Sequence, residues 1–311
     1  MNNIITVSEL SKQFKQITAV NQLSFSIEQG DVYGFLGQNG AGKSTTIRML
    51  LSLIKPTTGT IEIFGLNLQS HRKEILQQVG SVIEKPDVYN YLSALQNLQL
   101  FAKLSSIQLT RKMLMQQLER VGLAQRANDT VKTFSQGMKQ RLGIAIALVH
   151  NPTLIILDEP TNGLDPQGIA DIRNLILHLS KEDKKTILVS SHLLNEIEQI
   201  ASKVLIIDKG RKIIEGTASD LFDPSQTIVE LSTIDNDAAW NWLLQSEWSK
   251  YLLKKSKESF SLKLNKIHIP QLNAALVKAE LGVITIYPKN SLENYFLQVT
   301  SENQHVEAFS N

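Results

Sequence analysis

The stretch Val32-Tyr-Gly-Phe-Leu36, running into Gly37-Gln-Asn-Gly-Ala-Gly-Lys43-Ser44, decides the architecture of this chain. The apolar run from Val32 to Leu36 reads as a buried strand, and Lys43 to Leu53 reads as a helix. Between them lies an unbroken G-x-x-x-x-G-K-[ST] pattern. Its glycines let the backbone curl so that successive N–H groups turn inward, the arrangement that cradles a triphosphate. Lys43 can reach the β- and γ-phosphates, and the Ser44 hydroxyl is placed to ligate Mg²⁺. The start of the following helix favours an anion. The loop alone does not choose among a GTPase, a kinase and an ATPase.

The bulk of the chain narrows the classes. Its 311 residues give room for one large or two modest domains. A hydrophobic content of 42% is that of a folded protein. A net charge of +2 argues against gripping nucleic acid by charge alone. The absence of cysteine excludes disulfides and thiolate metal sites and fits a reducing cytosol. Met1-Asn-Asn-Ile-Ile-Thr lacks a basic start followed by an apolar core, so no secretion signal is expected. No uninterrupted apolar stretch approaches the roughly 18–20 residues that span a bilayer. The longest, Leu142 to Leu157, is broken by His150, Asn151 and Pro152. Action at a membrane would go through a partner.

Outward from the loop, strand and helix patterns alternate. Ile4 to Val7, Phe25 to Ile27 and Thr60 to Phe64 read as strands. From about Leu92 to Val149 the pattern turns helical, with Leu92, Leu95, Leu98 and Phe101 recurring every third residue and Met113, Leu114 and Leu118 fitting a second helix. Two apolar strands follow, Thr153 to Leu157 and Thr186 to Ser190. Between them sits a helix capped by Asp165, with Pro166 at its first position and an apolar face of Ile169, Ile172, Leu175, Ile176 and Leu179. Alternation of this kind predicts an α/β fold with a mainly parallel sheet covered on both faces. Near Asp220 the texture changes, and Asp223-Pro224-Ser225 reads as a junction. Beyond it, Thr227–Leu231, Phe260–Leu264 and Val283–Tyr287 read as strands. Asp237–Gln245, Pro270–Leu281 and Ser291–Val299 read as helices, giving a small α+β domain. The lysines between Lys250 and Lys266 read as a solvated surface before an anion-binding patch.

Two further motifs carry chemistry. Leu154-Ile-Ile-Leu-Asp158-Glu159-Pro160 is a buried strand ending in two carboxylates beside the loop. Asp158 is positioned to hold Mg²⁺, directly or through water. Glu159, one residue later, can orient an attacking water. Without the glycine-rich loop the same pair would read as helix-capping acids. In Phe134-Ser135-Gln136-Gly137-Met138-Lys139-Gln140-Arg141, Ser135 and Gly137 offer a hydroxyl and an exposed backbone at a helix start. Alone, Ser135 reads equally as a plain cap.

The order of these motifs carries the family resemblance. The loop, Ser-x-Gly-x-x-Gln-Arg, Asp-Glu-Pro, Gly163-Leu-Asp165 and Ser191-His192 form a series that resembles the ATP-binding cassette (ABC) ATPases over about residues 1 to 220. The resemblance implies a P-loop NTPase cassette over 1–222, with an N-terminal antiparallel β part and a helical subdomain over about 90–150. An accessory α+β domain would occupy 223–311. Gly37, Gln38, Asn39, Gly40, Ala41, Gly42, Lys43, Ser44 and Thr45 would hold the phosphates. Phe14, in Lys12-Gln-Phe14-Lys, would stack on adenine, although a core Phe is the alternative. Ser135, Gln136 and Gly137 would contact the nucleotide of a second cassette in a head-to-tail pair, with Asp165 at that interface. His192, following a strand end, would touch the γ-phosphate; a lone histidine there would more often be merely a satisfied one. Metal contacts would come from Ser44, Asp158 and Glu84, and the expected ligands are ATP and Mg²⁺.

Two departures from the family pattern stand out. The usual Leu-Ser-Gly-Gly-Gln reads Phe134-Ser-Gln-Gly-Met138, which keeps Ser135 and Gly137. The loop that usually carries a Mg²⁺-linked Gln holds Glu84, a stronger hard-cation ligand that adds negative charge beside a triphosphate. Ile83-Glu-Lys-Pro-Asp-Val-Tyr89 looks like the cassettes of bacitracin and lantibiotic-immunity exporters, and Glu293 and Phe296 resemble that group's tail helix. The implied function is ATP hydrolysis energising a separate multi-span membrane permease. The site of action would be the cytoplasmic face of the membrane, for export of a peptide antibiotic or other drug. A second copy or a homologue would complete the working pair, with no direct nucleic-acid contact. The alternative is an ABC-type ATPase acting on DNA or ribosomes without a membrane partner; those usually carry long coiled coils, zinc motifs or two cassettes, none of which is visible.

Overall fold

The structure is a computed structural model that describes residues 3–221 and 227–289. The chain divides into two compact units, Met1–Ala218 and Ser219–Asn311.

The first unit is built on two sheets. A six-stranded sheet runs in the order β10 (Arg211–Thr217), β9 (Lys203–Asp208), β3 (Val32–Leu36), β8 (Thr186–Ser191), β7 (Leu154–Asp158), β6 (Val79–Ile83). Neighbours from β9 to β6 are parallel, and only β10 is antiparallel, paired with β9. Every residue of β3, β7 and β8 is buried. That explains why these strands read as continuous apolar runs: a parallel strand covered on both faces has no polar side. The carboxyl ends of β3, β8 and β7 lie side by side, where an open α/β sheet binds its ligand.

The second sheet is antiparallel, in the order β2 (Ile17–Glu28), β1 (Asn3–Phe14), β4 (Thr58–Ile63), β5 (Leu66–Asn67). Tyr33 and Phe35 of β3 stack on Phe25 of β2 with ring centroids 5.8 and 5.9 Å apart, joining the two sheets through one core. The Tyr33 hydroxyl donates to Glu215 Oε1 at 2.7 Å, so this buried ring also keeps its polar tip satisfied.

Helix α1 (Lys43–Leu50) follows the glycine-rich loop, and a short α2 (Arg72–Leu76) precedes β6. The helical block lies between β6 and its parallel neighbour β7: α3 (Ala94–Leu104), α4 (Arg111–Arg120) and α5 (Gln136–Ala147). Of the three-residue repeat, Leu95 and Leu98 are buried and Leu92 and Phe101 half-buried; in the second helix Leu114 and Leu118 are buried, whereas Met113 faces outward. Helix α6 (Pro166–Lys181) buries Ile172, Leu175, Ile176 and Leu179, and α7 (Leu194–Glu198) follows β8. Helix α8 (Ala218–Leu221) spans the division between units.

The second unit is an antiparallel sheet in the order β12 (Leu252–Lys255), β13 (Phe260–Lys263), β11 (Ile228–Thr233), β14 (Val283–Lys289), with α9 (Asn236–Leu244) and α10 (Ile269–Lys278). Its own core holds Val229, Leu231, Leu243, Trp248, Phe260, Leu262, Leu272 and Leu276. The junction at Asp223-Pro224-Ser225, the tail helix read over Ser291–Val299, and with it Glu293 and Phe296, lie outside the described residues.

Candidate active site

The loop from Gly37 to Gly42 connects β3 to α1. Gly42 occupies the N-cap position of α1 in the left-handed region, φ 104°, and no side chain caps the helix. By contrast α3, α4, α5 and α6 are capped by Ser93, Thr110, Ser135 and Asp165. The first N–H groups of α1 are thus left for a ligand, and its first turn carries no acidic residue to oppose an anion. A Cβ on Gly42 would come within 2.6 Å of the Ala19 carbonyl, and one on Gly37 within 2.6 Å of the Ile207 carbonyl. Only glycine lets the loop pass this close to β2 and β9. Asn39 and Gly40 are exposed at the loop tip; Gln38, Ser44 and Thr45 are half-buried, and Ala41 is buried.

Lys43 is 4% exposed, and its ammonium is crowded by oxygens. It donates to the Gly37 carbonyl at 2.6 Å and the Gln38 carbonyl at 3.2 Å, and it lies 3.1 Å from Glu159 Oε1 as an ion pair. A buried cation needs such partners, and a triphosphate offers better ones.

The two carboxylates behave differently. Asp158, wholly buried at the end of β7, accepts from Ser190 Oγ at 2.6 Å through Oδ1, while Oδ2 is buried with no hydrogen-bond partner. An orphaned carboxylate oxygen in a buried place asks for a cation, so the donor set fits a divalent metal shared with phosphate oxygens. Glu159 sits in the left-handed region at φ 50°, an uncommon backbone for a non-glycine residue. Its N–H is held by Ser190 Oγ at 2.9 Å, and its Oε2 meets His192 Nδ1 at 2.7 Å. The structure therefore brings Lys43, Glu159 and His192 into direct contact at the ends of β3, β7 and β8.

The other candidates sit around this centre. Glu84, just past β6 with φ 56°, receives a hydrogen bond from Arg48 Nη2 at 2.6 Å. Glu84, Gln136 and Glu159 line one cavity of about 660 Å³. Phe14, at the end of β1, is 46% exposed, with the Lys12 ammonium 4.9 Å from its ring centre; it is not a core residue. Ser135 is exposed and caps α5, its Oγ accepting the Met138 N–H at 3.3 Å, so its O–H stays available to donate. Gln136 reaches the Asn162 carbonyl at 3.2 Å, and Gly137 opens onto nothing nearer than the Gly168 Cα at 3.9 Å. Asp165 caps α6 through the Gly168 N–H at 3.1 Å. The motif reading missed Ser190, whose one hydroxyl serves both acidic residues; Ser-Ser-His in the sequence marks a strand end but not that contact.

The ABC transporter family profile matches residues 20–162. The chain is 42% identical over 303 residues to the bacitracin transport ATP-binding protein BcrA of Bacillus licheniformis, covering 96% of this chain and 98% of the relative. It is 38% identical over 228 residues to the lantibiotic transport ATP-binding protein SrtF of Streptococcus pyogenes, covering 73% and 95%. Its fold matches a dimeric ATP-binding cassette in a post-hydrolysis state bound to ADP and Pi, with a TM-score of 0.63 and 26% identity, over 69% of this chain and 98% of that one.

Proposed function

We propose that this chain, which belongs to the family of ABC transporter ATP-binding proteins, hydrolyses ATP to drive export of a peptide antibiotic or similar drug through a separate membrane subunit. The observation that carries the cargo class is the 42% identity to a bacitracin transport ATP-binding protein, which runs across 96% of the chain and so includes the second unit. No described helix is long and apolar enough to cross a membrane, so the path for cargo belongs to a partner.

The chain's own residues supply the binding steps. The loop from Gly37 to Thr45, with the uncapped amides at the start of α1, and the Lys43 ammonium clasp the triphosphate, and Lys43 exchanges Glu159 for it; the Gly37 and Ala41 N–H groups are held by the Ser191 and Gln38 carbonyls. Glu159, freed from Lys43, orients the attacking water, and His192 donates its N–H toward the γ-phosphate. Phe14 offers its exposed face to adenine. Ser44 and Asp158 would hold Mg²⁺, which would neutralise phosphate charge. Glu84 joins them only by leaving Arg48; that exposed pair is worth at most about 1 kcal/mol and yields readily. Ser135, Gln136 and Gly137 present donors to the nucleotide of a second cassette, and Asp165 lies at the same face. ATP then adds charge-assisted bonds between two cassettes, and hydrolysis removes them. The chain works at the cytoplasmic face of the membrane as one of a pair, with itself or a homologue.

Copurification from solubilised membranes tests the role. Recovery of a multi-span protein that stimulates the ATPase is expected. Stimulation by DNA or ribosomes, with no membrane protein recovered, would contradict transport.

A further inference from the structure

Glu159 and His192 approach from different strands, the first just past β7 and the second just past β8, and meet at 2.7 Å. Beside each stands a hydroxyl. Thr161, two residues beyond Glu159, and Ser191, one before His192, both donate to a single oxygen, Glu196 Oε2, at 2.6 and 3.1 Å. Glu196 lies on α7, which is pinned by the buried side chains of Leu194 and Ile197. Ser191 Oγ also accepts the Leu193 N–H at 3.0 Å, closing the turn that carries His192. Packing does not do this job instead. A cavity of about 270 Å³ opens against Thr161, Ser191 and Glu196, between apolar walls from Ile169 and Ile176 of α6 and Ile197 of α7.

We propose that Glu196 is a positioning residue for ATP hydrolysis. One carboxylate oxygen brackets the turn after Glu159 to the strand end before His192, and so keeps those two side chains in register. This role rests on Glu159 and His192 serving hydrolysis as proposed above. The side-chain bonds of the bracket touch neither the phosphate loop nor Phe14, and the bond that ties Ser191 to the loop, its backbone carbonyl accepting the Gly37 N–H at 3.3 Å, does not involve Glu196, so removing the Glu196 carboxylate changes turnover and leaves nucleotide affinity alone. It needs an acceptor and not a charge: a glutamine Oε1 can accept both hydroxyls, whereas a methionine fills the space and offers no comparable acceptor.

The test uses the full chain, with steady-state ATP hydrolysis and thermal melting measured for Glu196→Met, Glu196→Gln, Thr161→Val and Glu159→Gln. A displacement of about 1 Å at a reacting group costs on the order of 10²-fold, so Glu196→Met is expected to lower kcat by about 10- to 100-fold. Its KM for ATP should stay within about twofold, the pattern of an interaction that acts only in the transition state. Glu196→Gln should restore most of kcat, and adding Thr161→Val to Glu196→Met should cost little more, because the bond that Thr161→Val removes is already lost in Glu196→Met. Wild-type kcat in Glu196→Met overturns the bracket. So does an equal loss in Glu196→Gln, or a loss that follows KM or a fallen melting temperature. Glu159→Gln separates the two failures: if it is inactive while Glu196→Met is normal, only the bracket falls; if it turns over normally, the assignment of Glu159 falls and takes the bracket with it.

Discussion

Replacing Glu159 by glutamine separates three effects that the structure joins in one side chain. The amide cannot serve as a base, so turnover should fall at least ~10²-fold, a barrier increase of about 2.7 kcal/mol. The same change strips the buried Lys43 of its counter-charge. Removing one partner of a buried ion pair outright costs about 3–5 kcal/mol. Here Lys43 keeps the Gly37 carbonyl at 2.6 Å and the Gln38 carbonyl at 3.2 Å, and the amide oxygen remains close by. The loss in the ligand-free protein should therefore be that of one charge-assisted contact, about 1–2 kcal/mol. For a unit of this size that lowers the melting temperature by roughly 2–8 °C. ATP no longer has to displace a carboxylate from Lys43, so the variant should bind ATP as tightly as the wild type or more so. Phosphate release measures the first effect; melting with and without ATP measures the others, and the ATP-induced rise should be larger in the variant. Near-normal turnover would refute the assignment of Glu159, and an unchanged ligand-free melting temperature would refute the account of Lys43.

Gly37→Ala should disable the loop, because the new Cβ would stand 2.6 Å from the Ile207 carbonyl and 3.0 Å from the Ala41 Cβ. Strain of about 1–3 kcal/mol and weakened ATP binding are expected, read by melting and by nucleotide titration. Phe14→Ala should raise the Kd for ATP about 5- to 100-fold, the worth of one base stack, yet leave the affinity for inorganic triphosphate unchanged in calorimetry. His150, whose Nε2 lies 3.1 Å from the Val79 carbonyl at the start of β6, should make the fold less stable in acid. Burial holds its pKa below the ordinary 6.5, with Lys185 adding to the effect and the Val79 carbonyl opposing it. The unfolded chain then binds a proton that the folded chain refuses, so stability should drop as pH falls below about 6.5. His150→Asn should flatten that decline in melting temperature between about pH 7.5 and 5.5.

The parts of the fold that were legible in the sequence are those where one physical signal dominates. Strands β3, β7 and β8 are buried on both faces and read as plain apolar runs; α6 announces its start through Asp165 and Pro166. The long hairpin was only half legible. Ile4–Val7 and Phe25–Ile27 are the most deeply buried ends of two twelve-residue strands. Beyond Val7 the pairing slips at Val7/Leu10 and Leu10/Lys12, and these irregularities break the alternation that a reader counts. Strand β12 was missed because Leu252-Leu-Lys-Lys255 presents lysines where a strand pattern expects alternation. The helix read as far as Leu53 stops at Leu50, since Ser52 turns left-handed at φ 54°. At the site, sequence order placed the carboxylates beside the loop. It could not give the Lys43–Glu159 and His192–Glu159 contacts, because those join residues 33 or more positions apart whose side chains are aimed by strained or capped turns.

In the proposed mechanism ATP joins two copies of this fold, held by the loop of one and by Ser135 and Gly137 of the other. Sedimentation of Glu159→Gln, with and without saturating ATP and Mg²⁺, tests it most directly. A shift from monomer to dimer that depends on ATP and is abolished by a second change, Ser135→Arg, is the expected result. A species that stays monomeric at saturating ATP, alone and with its membrane subunit, would contradict it.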